Sequence, residues 1–249
     1  MVIIISIVSS AARPELWVEF YERIGINNID FELIFVGPNS PDYMLPDNFN
    51  FVKSQVKPVQ CFEIAARISV GKYLIMLADD MFFETDNPLD KLYQDYLSYN
   101  TDKLMLSCGY SQYFSSGIPR IFEADFHKFI DSKNNEIVMP VGLMIDRKYY
   151  RHLGGLDRNF IALYWDLDLC FRVVEDGGIT ALSNVIIKDI DILNCGGLYS
   201  EFYQIDQFQT LSRIWPFLPN TPFKRTTPLE PFIDDNILIV SQGPKGRWI

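Results

Sequence analysis

Two adjacent carboxylates, Asp79 and Asp80, end the apolar run Tyr73 to Ala78. Like charges side by side at the end of a buried strand disfavour each other's ionised form unless a cation joins them. Mg2+ and Mn2+ suit such a pair, because they bind through one or two carboxylates and leave their other positions to phosphate oxygens and water. The plain structural alternative is a solvated turn with an incidental acidic pair. A second acidic pair, Asp166 and Asp168, lies in GGLDRNFIALYWDLDLCFRVVEDGG. Asp166 falls where a helix begins; facing a cleft, it would serve as general base for a substrate hydroxyl. In a purely structural role it caps the helix, and Asp168 pairs with Arg172 four residues on. The loop SSAARPE with Arg13, and the segment Pro58 to Val70 with Lys57 and Arg67, supply the cations and helix N-termini that hold a diphosphate.

Other chemistries lack their residues. No Gly-x-Gly-x-x-Gly follows the first strand, and there is no Walker loop. His127 and His152 stand without Ser or Cys at elbow spacing, which leaves a catalytic triad unsupported. Cys61, Cys108, Cys170 and Cys195 form no CxxC pair and have no His at zinc spacing, so they read as small buried hydrophobes in a reducing compartment. With 22 Lys and Arg against 32 Asp and Glu the net charge is −10, and no basic run offers nucleic acid a surface.

The elements that must position these groups are legible from periodicity. Across 249 residues, 48% hydrophobic and 22% charged, the chain has the composition of a folded domain. Val2 to Val8, Phe31 to Val36, Phe49 to Lys53 and Tyr73 to Ala78 read as strands. Helices are expected at Pro14 to Ile24, at Pro58 to Val70, and after the Asn87-Pro88 cap, where Leu89, Leu92, Tyr93, Tyr96 and Leu97 form one stripe. Such alternation predicts a mostly parallel sheet flanked by helices, with ligands at the carboxyl ends of its strands. Further on, Lys103 to Tyr110 and Ile137 to Ile145 read as strands separated by a polar-aromatic excursion from Ser111 to Glu136. Asp146 caps a short helix, a helix from Trp165 stops at Gly177-Gly178, and the strand Ile179 to Lys188 follows. One domain is expected over residues 1–249, with a nucleotide half at 1–110, an acceptor half at 111–214 and an extended proline-rich tail at 215–249. The apolar N-terminus lacks the features of a signal peptide and no stretch is long enough to span a membrane, so a soluble, cytoplasmic protein is expected.

In this order the features resemble the GT-A glycosyltransferases, most closely the family 2 type of nucleotide-sugar-dependent enzymes. IIISIVSSAARPELW is similar to that family's first strand and nucleotide loop, and FELIFVGPNS to the strand that usually ends in Asp-Asp-Gly-Ser. EIAARISVGKYLIMLADD resembles the helix and strand leading to the metal-binding Asp-x-Asp. GGLDRNFIALYWDLDLCFRV resembles the acceptor-side block that ends in Glu-Asp-x-Asp-Leu-x-x-Arg. The resemblance spans roughly residues 1–180.

What it implies is a GT-A fold and transfer of a sugar from a nucleotide-diphosphate donor, UDP-linked by default, to a glycan or glycoprotein acceptor. The alternatives are a non-catalytic nucleotide- or sugar-binding module and a sugar-nucleotide nucleotidyltransferase, which would carry a Gly-rich basic loop where this chain has SSAARPE. Asp80 matches the direct ligand of Mn2+ or Mg2+, Asp79 the position near the ribose or metal, and Asp166 the catalytic base of inverting enzymes. Ser9, Arg13 and Arg67 match places from which side chains reach the nucleotide. The sequence departs from the pattern in four places. Ala78 replaces the first aspartate of Asp-x-Asp, Gly37-Pro38-Asn39 replaces the base-reading acid, and Trp165 replaces the glutamate beside Asp166, where a flat ring suits a sugar face. Asn194 stands near the place of a metal-binding histidine, with Asp189 and Asp191 close by. Ser111 to Glu136 and Leu198 to Gln209 are expected to form walls that order over the donor.

Overall fold

The computed structural model describes residues 4–113, 119–122, 128–130, 136–138, 141–190, 208–216, 224–233, 237–238 and 242. In chain order the elements begin with β1 (Ile5–Ser10), a 3-10 turn (Pro14–Leu16), α1 (Trp17–Ile24), β2 (Phe31–Gly37) and β3 (Phe49–Lys53). Next come α2 (Pro58–Ile68), β4 (Tyr73–Met76), β5 (Met81–Phe83), α3 (Pro88–Ser98) and β6 (Leu104–Tyr113). Then follow β7 (Pro119–Phe122), β8 (Lys128–Ile130), β9 (Glu136–Val138), β10 (Leu143–Asp146) and α4 (Arg147–His152). Last are α5 (Trp165–Glu175), β11 (Ile179–Asp189) and α6 (Phe208–Ile214).

The main sheet runs β3-β2-β1-β4-β10-β6-β11-β5, with β7 paired to β6 and the β8–β9 hairpin apart. β3, β2, β1 and β4 are parallel neighbours, β10 is antiparallel to both β4 and β6, β11 is parallel to β6, and β5 is reversed on β11. Six of these eight strands therefore point one way, the mostly parallel sheet that the alternation predicts. β1 and β4 are buried at every residue, as continuous apolar strands covered on both faces must be. Val8, Ile34 and Leu74 pack with α2 and α5 residues such as Ile64 and Leu169 on one face. On the other face Ile5, Ile7 and Leu33 pack with Trp17 and Phe20 of α1 and Leu89 and Leu92 of α3. No helix among the described residues is long and apolar enough to cross a membrane.

Local expectations hold where a cap or a turn residue sets the boundary. Asp146 accepts the amides of Lys148 and Tyr149 and starts α4, and α5 stops before Gly177-Gly178. The structure differs at several boundaries. α2 ends at Ile68 because Ser69 turns extended. The apolar run Ile137 to Ile145 divides between β9 and β10, with Gly142 at φ +56 just before β10. Asn87 makes no side-chain cap; Asn27 Oδ1 accepts the Leu89 amide at 3.0 Å instead, and Leu97 stays 46% exposed, outside the buried stripe. Cys61, Cys108 and Cys170 are buried free thiols, as expected, whereas Cys195 and His127 lie outside the described residues.

One glycine fixes how closely the sheet's strand ends approach. A Cβ at Gly37, where β2 ends, would stand 1.6 Å from the Ala11 carbonyl oxygen, and Ala11 N donates to Val36 O at 2.9 Å. Gly37→Ala must therefore push the 9–13 loop off β2. We expect it to lose about 1–3 kcal/mol of stability, the range for overpacking, with a lowered urea midpoint as the readout. A midpoint equal to wild type would show that the loop gives way without cost.

Candidate active site

β1, β2 and β4 are parallel, and the chain leaves β1 toward β2 on one side while β4 lies on the other. Open α/β sheets bind ligands in a crevice at the carboxyl ends of the strands on the two sides of such a switch point. The loop at residues 9–13 follows β1, Gly37 to Asn39 follows β2, and Asp79-Asp80 follows β4. All three predicted segments arrive at one end of the sheet.

Asp79 is wholly buried. Its Oδ2 accepts the backbone amides of Ala12 and Arg13 at 2.8 Å each and Trp17 Nε1 at 3.0 Å. Its Oδ1 accepts Arg13 Nη2 at 2.7 Å and Nε at 3.1 Å. Five N–H groups thus converge on one carboxylate. The indole is held for this contact by Phe35, Phe49 and Phe51, whose ring centroids lie 5.1–5.9 Å away. The same guanidinium continues to Asp80, whose Oδ2 accepts Arg13 Nη1 at 2.6 Å. Asn39 Nδ2 donates to Ala12 O at 2.7 Å and Tyr43 OH to Pro14 O at 2.5 Å, so the β2 side also braces this loop. Ser9 is fully buried, its Oγ donating to the Ser10 carbonyl at 3.1 Å, and presents no surface to a nucleotide.

Asp79 does not fit as a ligand of Mn2+ or Mg2+. Such an ion needs carboxylate oxygens facing it. Both oxygens of Asp79 are engaged by N–H groups, and the guanidinium of Arg13 lies between the two acids. No group of three or more His, Cys, Asp or Glu among the described residues comes together as a metal cluster. Asp191 and Asn194 lie outside those residues, and of Asp189 only the backbone is described.

Asp166 stands in the first turn of α5, at the same end of the sheet: α5 leads into β11, which runs parallel to β6, so the helix begins over the strands' carboxyl ends. The Val59 amide of α2 donates to Ile161 O at 2.9 Å, tying this loop to the start of α2. Tyr164, at φ +64, is the residue before the helix, so Asp166 is not its N-cap, although its Oδ1 accepts the Leu167 amide at 2.9 Å. Burial raises the Asp166 carboxyl to about 6, opposed only by backbone N–H groups, Leu167's and its own. A carboxylate of that basicity, held on the ligand side of the sheet, is matched to taking a proton near neutral pH. Trp165 is half-buried and its ring lies 4.6 Å from that of Phe62 on α2.

Asp168 is structural, as the helical spacing suggests. It is fully buried and accepts Arg172 Nε at 2.9 Å, Trp215 Nε1 at 2.8 Å and Arg225 Nη1 at 2.5 Å. Arg225 also pairs with Asp157 of the Gly-Gly-Leu-Asp turn. This buried charge cluster clamps the tail segment onto α5. Arg67 does not join the crevice. α2 runs antiparallel to the strands around it, and its last turn lies at their amino ends, where Arg67 bonds Glu63 Oε1 at 2.7 Å and the Phe232 carbonyl at 2.8 Å. Sequence reasoning missed Trp17 as a ligand of Asp79, and it missed Trp215 and Arg225 altogether. The indole was legible only as an apolar position, and the other two act across 47 and 57 residues of chain.

No family model matches the sequence, and no curated protein matches it. Solved structures do resemble the fold. TarS residues 1–349 from S. aureus superposes with TM-score 0.51 at 11% identity over 74% of this chain, and the same fragment in complex with UDP-GlcNAc with 0.56 at 12% over 81%. A further S. aureus TarS structure gives 0.57 at 12% over 81%. The chain spans 57%, 64% and 38% of those three chains. At this identity the likeness establishes the fold, an α/β sheet flanked by helices of the GT-A type.

Proposed function

We propose that this chain is a glycosyltransferase that moves a sugar from a nucleotide-diphosphate donor, UDP-linked, to a hydroxyl of a glycan or glycoprotein, with inversion at the anomeric carbon. The observation that carries this reading is Asp166, a carboxyl raised to about 6 at the start of α5, on the ligand side of a GT-A sheet. A sugar hydroxyl is a weak nucleophile, and a positioned carboxylate takes its proton as the anomeric carbon gains positive character, which contributes typically 10²–10⁴-fold in rate. An inverting displacement sets that base on the face opposite the leaving nucleotide. The TarS complex with UDP-GlcNAc supports a UDP-sugar as donor. Trp165, beside the base and half-buried against Phe62, is the aromatic side chain that would meet a sugar ring. Ala78 in place of an acid keeps open a second reading, a nucleotide- or sugar-binding module without catalysis.

The test is release of UDP from a panel of UDP-sugars, with and without candidate acceptor sugars, followed by NMR of the product's anomeric proton. We expect one donor to be turned over faster when its acceptor is present, and the product to have the opposite anomeric configuration. Binding of a UDP-sugar with no release of UDP under any acceptor favours the binding module, and retained configuration removes Asp166 from the role of base.

A further inference from the structure

We infer that Arg13 occupies the place a divalent cation would take between Asp79 and Asp80, so that this chain binds its nucleotide without a metal ion. The inference rests on the nucleotide-sugar reading for its ligand and on the geometry of Arg13 for its content. A metal bridging adjacent carboxylates works by placing positive charge between them and by presenting more of it outward to phosphate oxygens. Here the guanidinium does the first. It reaches Asp79 through Nη2 at 2.7 Å and Nε at 3.1 Å, and Asp80 through Nη1 at 2.6 Å. Arginine keeps its charge at any working pH and its planar fork matches two carboxylate partners at once.

The arrangement is locked from three sides. Asp79 is saturated by two backbone amides and the Trp17 indole besides the guanidinium, so it has no oxygen to turn toward an ion without breaking several charge-assisted bonds. Arg13 is itself buried, its side chain 9% exposed, and its own backbone amide is one of the Asp79 donors. Moving the side chain aside would leave two acids facing each other in a closed site. The pair plus Arg13 sums to one negative charge instead of two. Lys188, registered opposite Phe82 near the end of β11, brings a further cation to the same strand ends, where the Ile190 amide donates to Asp80 O at 3.1 Å.

Two titrations decide the matter on the intact chain. In the first, Mn2+ is titrated into the apo protein and free Mn2+ is read by its EPR signal. We expect wild type to take up none, and Arg13→Met, which opens the space between the acids, to gain a site. In the second, UDP is titrated calorimetrically into wild type in EDTA and in Mn2+, with dissociation constants expected to agree within about twofold. Mn2+ uptake by wild type that disappears in Asp80→Asn overturns the inference, and so does UDP affinity that falls about tenfold or more in EDTA. A folded Arg13→Met protein that takes up no Mn2+ also counts against it; if that variant does not fold, the two wild-type measurements still decide. UDP binding in neither condition would refute the nucleotide-sugar reading instead, and the EPR titration would still judge Arg13.

Discussion

Asp166→Asn should lower transfer to an acceptor by about 10²-fold or more while leaving the protein at least as stable as wild type. The two halves of that expectation come from one fact, the carboxyl raised from 3.8 to about 6 by burial. Because the folded value lies above the unfolded one, the ionised form is better tolerated in the unfolded chain. Stability therefore falls as pH rises from about 4 through about 6, and above that range the native state carries the cost of holding a poorly solvated carboxylate. Asparagine removes the charge and keeps an oxygen for the Leu167 amide. At pH 7 it should raise stability by something on the order of 1–3 kcal/mol, and the gain should vanish near pH 4. Turnover by wild type should rise with pH around an apparent pKa near 6, as the base ionises. UDP release to water must be scored apart from transfer, because water is a different acceptor from a bound sugar hydroxyl. Unchanged transfer removes Asp166 from the chemistry. Loss of transfer together with a lowered melting temperature would show that the carboxylate is a structural group.

Legibility in the sequence followed the range of each interaction. The strands β1 to β4 and the helices α1 to α3 could be read because their signals are local: apolar runs, Pro14 at the 3-10 turn that leads into α1, Pro58 and Pro88 at helix starts, Gly25 at a helix end. Local signals also placed Asp79, Asp80 and Asp166 at the ligand end of the sheet, since chain order alone decides which end of a parallel strand a residue follows. What each carboxylate does there was not legible. Asp79 and Arg13 are 66 residues apart, and no spacing rule links them. Read without Arg13, two adjacent acids suggest a metal ion and give no sign of a resident guanidinium. Arg67 shows the converse error: a cation on the right helix, yet one whose last turn lies at the wrong end of the sheet. Asp168 was read correctly because its first partner, Arg172, is one helical turn away, while Arg225, its partner from the tail, was invisible.

The same chemical change at Asp79 should act in the opposite direction. Asp79→Asn is expected to cost about 3–5 kcal/mol, the range for breaking a buried ion pair by removing one partner. The carboxylate offers both oxygens as acceptors, and all five groups around it are donors. An asparagine has one acceptor oxygen, so its NH2 must face either the guanidinium of Arg13 or the Ala12 and Arg13 amides with the Trp17 indole. Whichever way the amide turns, buried donors lose their acceptor, and each such loss costs about 1–3 kcal/mol. A buried arginine also loses one of its two counter-charges. At roughly 2–4 °C per kcal/mol for a chain of this length, the melting temperature should fall by roughly ten degrees. A carboxylate kept for an ion or a ribose alone would behave differently, since removing a poorly solvated charge without a counter-charge relieves the fold, as expected for the half-buried Asp166. Melting curves of the two asparagine variants at pH 7 therefore separate the two roles without any substrate. If Asp79→Asn melts at or above wild type, the five-donor lock on residues 12 to 17 does not hold the loop, and the case for Arg13 as the resident cation goes with it.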